Sequence, residues 1–529
     1  MHDYIVVGAG SAGSVLARRL SDDPKCRVLL IEAGPPKHRS FVVQAPGLYS
    51  QIWRSKLDWE FYTTPQVHAD GRRMFWPRGK ILGGTSCLNA SVYVRGHRDN
   101  YDAWRDNGNP GWGYADVLPY FKRSEDNVRG ASEYHGAGGA LRVSDQDLIK
   151  PVSKAFVEAA AKRCGIPVTD DFNAKEQEGA GLYQVTVRSG RRASTAAEFL
   201  DPVRGRKNLE VTTDALVTSI VIEGGRARGV RCMVGGSEQT FHSDQEIILC
   251  AGAIGSPHLL LLSGVGPADE LRAAGVPVVH DLPGVGKNLQ DHLLTSVVYE
   301  TSPAGAFALS LPRLAGWALQ FAAVAGGPLR NGPVEAGAFV RSSPSAPRPD
   351  VQYHFIPWGV PMPNTDEKTQ RPAGYQFSIL PGLIYPLSRG EIRLKSANPG
   401  DAPLIDPACL ADPADLAHLV KGVRQSRDIA ATAPLSRFVV REIHPGPSCT
   451  SDEAIRAKIR ADVNTIFHPV GTCKMGADSA AVVDSQLRVR GLDGLRVADA
   501  SIMPDIVGGN TNAPVIMIAE KAADLVRGA

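Results

Sequence analysis

Gly8-Ala9-Gly10-Ser11-Ala12-Gly13 has the spacing G-x-G-x-x-G, and Glu32 follows about 20 residues past its last glycine. That set of residues can bind a dinucleotide: Gly8 allows a sharp turn, Gly10 lets the backbone approach a pyrophosphate, and Gly13 lets a helix pack close to a strand. Glu32 stands where an acid meets a ribose hydroxyl, which disfavours a 2′-phosphate and so NADP, leaving FAD and NAD. No second G-x-G-x-x-G occurs, so one dinucleotide is expected. A second kind of chemistry is open to His468, whose imidazole titrates near working pH. Pro469 restricts it to extended geometry. On its own such a histidine is more often structural. Asn510 and Asn512 precede Pro514 and an apolar run, where helix capping accounts for both as readily as substrate contact.

The flanking elements suit the first of these sites. Residues 4–7 and 28–31 read as short buried strands, and residues after the glycine turn are apolar at helical spacing, which makes a strand, a tight turn and a helix. Residues 246–249 run into Gly252 to Pro257 as a second junction of that kind, while 209–222 and 226–233 alternate as strands. Residues 351–356 and 390–395 also alternate and predict an antiparallel sheet with one solvated face. Stretches 342–349 and 361–374 are Pro/Gly/Ser-rich loops. Residues 314–325 predict a core or subdomain helix, with a helix lying on a membrane surface as the alternative.

With 529 residues, at least two structural units are expected, and a net charge of +3 gives no electrostatic case for nucleic acid or an anionic membrane. Eight scattered cysteines, without C-x-x-C pairs or interleaved histidines, argue against a metal centre or a disulfide framework. No basic and apolar leader precedes the first strand and no apolar run is long enough to span a bilayer, so a cytoplasmic location is expected, with peripheral attachment at the inner membrane as the alternative.

Beyond these local readings, six ordered segments resemble the glucose-methanol-choline (GMC) oxidoreductase family over nearly the whole chain. They are GAGSAG, PRGKILGGTSCLN, GAIGSPHLLLLSGVGP, GVGKNLQDH, HPVGTCKMG and GLRVADASIMPDIVGGNTNAP. The stretch DFNAKEQEGAGLYQVTVRSGRRAST is similar to the bacterial choline, aliphatic-alcohol and L-sorbose dehydrogenases. The resemblance implies an α/β fold: a Rossmann-like FAD-binding domain, discontinuous over 1–155, 211–300 and 466–529, with a substrate domain on an antiparallel sheet over 156–210 and 301–465. It implies FAD contacts from Gly8, Gly10, Ser11, Ala12, Gly13, Glu32, Ala33, Arg78, Gly83, Gly84, Asn89 and Val92. It adds Val217 near the adenine, and Asp499 and Ala500 near the pyrophosphate and ribityl chain. Some members link flavin covalently to a histidine; Leu88 stands at that position, so FAD is expected without a covalent bond.

The same resemblance implies that His468 is the acid/base of alcohol oxidation and that Asn510 orients the substrate, with Asn512 touching the ring or, one turn off, taking that orienting role. The start of the helix after Pro514, aimed at the ring, would stabilise negative charge there. His292 and His258 are read as structural, and His354 as a residue that can face the substrate. The expected reaction is oxidation of a primary alcohol, polyol or sugar, with a quinone, cytochrome or dye as acceptor. The alternatives are an oxidase that uses oxygen and releases peroxide, and a non-redox enzyme like the hydroxynitrile lyases.

Overall fold

A computed structural model describes residues 2–303, 305–306, 311–360 and 374–528. The glycine turn joins His2–Val7 to the helix Ser11–Leu20. A Cβ on Gly13 would lie 1.9 Å from the carbonyl oxygen of Gly8, so only glycine allows the helix to sit this close to the strand. Among the described residues His2–Val7 is central in a seven-stranded sheet. Val28–Ile31 and then Leu209–Thr212 lie parallel on one side of it. Ser237–Leu249 and then Leu495–Val497 lie parallel on the other. Their near-continuous apolar sequence follows from burial on both faces. Ala215–Glu223, Arg226–Val234 and Ser237–Leu249 form an antiparallel meander that extends the sheet.

A second sheet has eight described strands, in the order Val439–His444, Val297–Thr301, Gln376–Leu383, Val351–Ile356, Ala336–Val340 and Gly179–Leu182. Its short pieces Leu293–Leu294 and Asn464–Thr465 pair with each other. Here the sequence expectation needs correcting. Every residue of Val351–Ile356 is buried, because the helices Pro151–Cys164 and Pro413–Ala431 pack on one face and the other turns to an internal cavity. Its alternation therefore separates two buried environments. Glu391–Arg393 is not in this sheet either; it pairs with Leu404–Asp406 as a separate hairpin.

The apolar stretch near residue 320 forms the helix Leu311–Val324, but it is not a core helix. Phe321, and Ala325 just past its end, are buried, whereas Leu319 and Val324 are each 74% exposed. The expected loop over 361–374 lies, apart from Gly374, outside the described residues. No described helix is long and apolar enough to cross a membrane.

Candidate active site

A cavity of about 1720 Å³ lies between the two sheets. At one end the turn after His2–Val7 and the helix Ser11–Leu20 present uncapped backbone N–H groups, since Gly10 offers no side-chain cap. Gly8, Gly10, Ser11, Ala12, Glu32, Ala33, Arg78, Gly84, Asn89, Val92, Val217, Asp499, Ala500, Asn510, Asn512 and His468 all border this one cavity. Gly13 and Gly83, expected to contact the cofactor, do not. Gly13 is spent on helix–strand packing, and Gly83, at φ +98°, turns the chain against Ala196 while donating its N–H to the Ala9 carbonyl at 2.8 Å.

Several features fit an extended dinucleotide carrying a planar ring. A Cβ on Gly84 would stand 2.7 Å from Gly10 Cα, so the two backbones meet as a bare cradle at the cavity wall. The Nε of Arg78 is buried without a hydrogen-bond partner, and burial lowers its pKa to about 10. Glu32 accepts from the amides of Ala9 and Gly34, each at 2.9 Å, while burial raises its pKa to about 7. Asp499 takes bonds from Gly252 N–H and Ser256 Oγ, tying the second glycine junction to the C-terminal segment. The helix Asn512–Arg527 begins on the cavity wall, where Ser11 Oγ donates to Asn512 Oδ1 at 2.6 Å.

His468 lies on the strand-like run after Asn464–Thr465, antiparallel to residues 290–294. The Ile466 amide donates to the His292 carbonyl and the His468 amide to Asp291 Oδ1 at 2.7 Å. Phe467 between them has φ +65°, an uncommon conformation for a bulky residue, and its carbonyl accepts from Arg78.

The amide orientations along one run of hydrogen bonds point to Nδ1 as the protonated nitrogen of His468. Tyr183 gives its hydroxyl proton to the Tyr353 carbonyl at 3.0 Å, so its oxygen accepts from Gln352 Nε2 at 3.1 Å. Gln352 Nε2 also donates to Asn510 Oδ1 at 3.3 Å, which turns Asn510 Nδ2 to His468 Nε2, again at 3.3 Å. An amide NH₂ only donates, so Nε2 carries the lone pair. The proton is on Nδ1 and goes to His292 Nδ1 at 3.0 Å. Burial, helped by His292, His354 and Arg78, holds the His468 pKa well below its ordinary value. Burial likewise drives His292 down to about 3, and lifts Asp291 to about 7 against the pull of Arg78.

Asp291, His292, Gln352 and Tyr183 were not read from the sequence as parts of this site. His292 was read as structural, yet its ring meets that of His468 with centroids 5.2 Å apart. The DH pair of the NLQDH segment was the one available signal. His354 faces the cavity from its strand, with both ring nitrogens unpartnered and its pKa lowered by burial to about 4. His258 borders the cavity as well.

Around His468 and Asn510 the wall is apolar: Leu294, Val334, Ile356 and Leu380 cluster there, with Trp358, Val360 and Ile466 packed against them. Glu335, a carboxylate on the cavity lining, accepts from Ser153 Oγ at 2.6 Å and from the Lys150 amide at 2.9 Å. Among the described residues no cluster could hold a metal ion.

Family models described as GMC oxidoreductase match residues 2–294 and 386–519. The chain is 46% identical to an alcohol dehydrogenase [acceptor] of Pseudomonas putida, over 99% of this chain and 96% of that one. It is 43% identical to the mitochondrial choline dehydrogenase of Mus musculus, over 100% and 89% of the two chains. A solved structure of the Aspergillus oryzae formate oxidase, from work on its FAD modification, superposes with a TM-score of 0.90 at 27% identity, covering 100% of this chain and 98% of that one.

Proposed function

The chain belongs to the GMC oxidoreductase family, and from that premise we propose that it binds FAD and oxidises an uncharged primary alcohol with an apolar body, such as an alkanol or an aromatic alcohol. Family membership and the likeness to FAD-containing formate oxidase support FAD as the cofactor, and the bare Gly10/Gly84 cradle, the uncapped helix start at Ser11 and the unpartnered Arg78 Nε are features that fit it. Gly8, Gly10, Ser11, Ala12, Glu32, Ala33, Arg78, Gly84, Asn89, Val92, Val217, Asp499, Ala500 and Asn512 would hold it, without a covalent bond at Leu88. When bound, FAD supplies the acceptor for the hydride that leaves the alcohol carbon.

The chain's own work is on the proton and on position. A hydroxyl inserted between Asn510 Nδ2 and His468 Nε2 accepts from the amide and donates to the lone pair, replacing the long 3.3 Å contact there. His468 then takes the hydroxyl proton as the carbonyl forms, becoming imidazolium with Nδ1–H still held by His292. Asn510, anchored by Gln352, fixes the oxygen but cannot itself be the base.

The substrate class rests on one observation, the apolar wall about His468, to which the antiparallel sheet adds His354 with unpartnered ring nitrogens. Choline carries a permanent cation, and seating it against this apolar wall costs several kcal/mol of desolvation. A sugar would leave most of its hydroxyls unpaired there. The likeness to the Pseudomonas putida enzyme, whose name specifies an acceptor, supports electron transfer to an external acceptor, for which we propose a quinone, cytochrome or dye. A panel of octanol, benzyl alcohol, choline and L-sorbose with a dye acceptor tests both points. The apolar alcohols should lead in kcat/KM by about 100-fold, and dye reduction should outrun peroxide release. A lead for choline or L-sorbose would overturn the substrate class.

A further inference from the structure

The geometry points to the helix Leu311–Val324, with the segment 37–57 beneath it, as a surface that seats the protein on an anionic lipid bilayer. An α-helix that is apolar nearly all round is ordinarily buried. This one is not: Leu319 and Val324 are 74% exposed, and neighbouring Phe41 and Leu148 are 42% and 41% exposed. Its hold on the body of the protein is narrow. Phe321 and Ala325 pack on Ala45 and Leu329, and the Phe321 ring meets the edge of Phe41 at 5.5 Å. The rest of the helix stands out as an apolar ridge with Trp317 half-buried on its flank, a residue suited to the boundary between headgroups and acyl chains.

Charge identifies the occupant. Residues 301–334 contain no Asp or Glu, and neither do residues 33–57, in a protein whose acids nearly balance its bases overall. These two acid-free segments are the ones that pack together. They carry Lys37, Arg39, Arg54, Lys56, Arg313 and Arg330; Arg39 is paired with Asp201 and Arg330 with Asp147, while Arg313 lies over the Tyr375 ring and Arg54 over that of Phe75. A second copy bound through the same patch would set like charges against each other, as two-fold pairing demands. A bilayer with anionic headgroups takes both the apolar ridge and the cations. Leu314, Ala315, Trp317 and Ala318 also border the cavity, so the ridge forms part of its wall. This inference is independent of which alcohol is oxidised.

The test is flotation of the FAD-loaded protein with vesicles of phosphatidylcholine alone or mixed with phosphatidylglycerol, for the wild type and for the double variant Leu319→Glu/Val324→Glu. The wild type should float with the phosphatidylglycerol vesicles and bind them at least 10-fold more tightly than the neutral ones. The variant should lose that binding at least 10-fold while its flavin absorbance and its dye reduction with a water-soluble alcohol stay unchanged. Three results would overturn the proposal: a wild type that binds neither vesicle, a variant that binds as well as the wild type, or light scattering showing a wild-type dimer that the variant breaks. Equal binding to both vesicles would overturn the assignment of an anionic surface.

Discussion

His468 is held between a donor at Nε2 and an acceptor at Nδ1, and both neighbours are themselves fixed, Asn510 through Gln352 and Tyr183, and His292 by staying neutral. Nothing in this arrangement stabilises the imidazolium before substrate arrives, and burial with His292, His354 and Arg78 nearby disfavours it. The sign of the pH dependence follows. The working form is neutral, the pKa is depressed, and activity is therefore full at neutral pH and lost only as pH falls through the depressed value. The acidic limb of kcat/KM should lie below pH 6.5, and a limb centred above pH 7 would contradict this reading of the site. His468→Ala should keep its flavin while losing turnover by about 100-fold or more, the scale of a lost acid/base; absorbance and dye reduction read the two separately. Sequence reasoning reached His468 and Asn510 through their surroundings. It missed Gln352, Tyr183 and Asp291, because buried polar side chains on strands and loops distant in sequence meet only once both sheets are assembled.

At the scale of elements, the first strand, turn and helix were legible because everything that makes them is local: a buried strand, three glycines at fixed spacing and an amphipathic run. The same locality makes Gly13 testable. A methyl group there would meet the Gly8 carbonyl at 1.9 Å, and neither backbone can yield without moving the helix start off the cavity wall. Gly13→Ala should cost about 1–3 kcal/mol by overpacking, seen as a lower unfolding temperature together with weaker FAD retention. An unchanged melting curve would mean that the helix stands farther from the strand. The helix Leu311–Val324 shows the opposite case. Its composition is that of a core helix, and periodicity carries no information about which of its sides finds a partner. The strand Val351–Ile356 was placed correctly, but its second face was assigned to solvent, since alternation marks two environments without saying that one of them is water.

Across the whole molecule, the two ends of the chain close on each other, and the closure runs through the cofactor side of the cavity. The C-terminal helix Asn512–Arg527 lies against Ser11–Leu20 and Tyr114–Ser124, and its Glu520, with a fully buried side chain, accepts from Arg19 at 2.8 and 2.9 Å and from Arg123 at 2.7 Å. Helix order in sequence does not announce such a pairing; Arg19 and Glu520 are 501 residues apart. The first turn of that same helix carries Asn512, bonded to Ser11, so the ion pairs at its middle hold the dinucleotide turn and the Asn510 turn in register. Removing Glu520 leaves Arg19 with Asp22 and Arg123 with Asp524, and both guanidiniums reach solvent, so the cost falls below the roughly 3–5 kcal/mol of a fully buried pair, at about 1–3 kcal/mol. Glu520→Ala should therefore lower the melting temperature and release FAD at a lower temperature, while the rate per bound flavin, measured with dye and a saturating alcohol, stays close to that of the parent. Glu520→Gln, which keeps one acceptor oxygen but replaces the other by an NH₂ that cannot accept from the arginines, should fall between the two. If Glu520→Ala retained its flavin and melted normally, the ion pairs would be dispensable, and the register of the two turns would have to come from the apolar contacts of the helix alone.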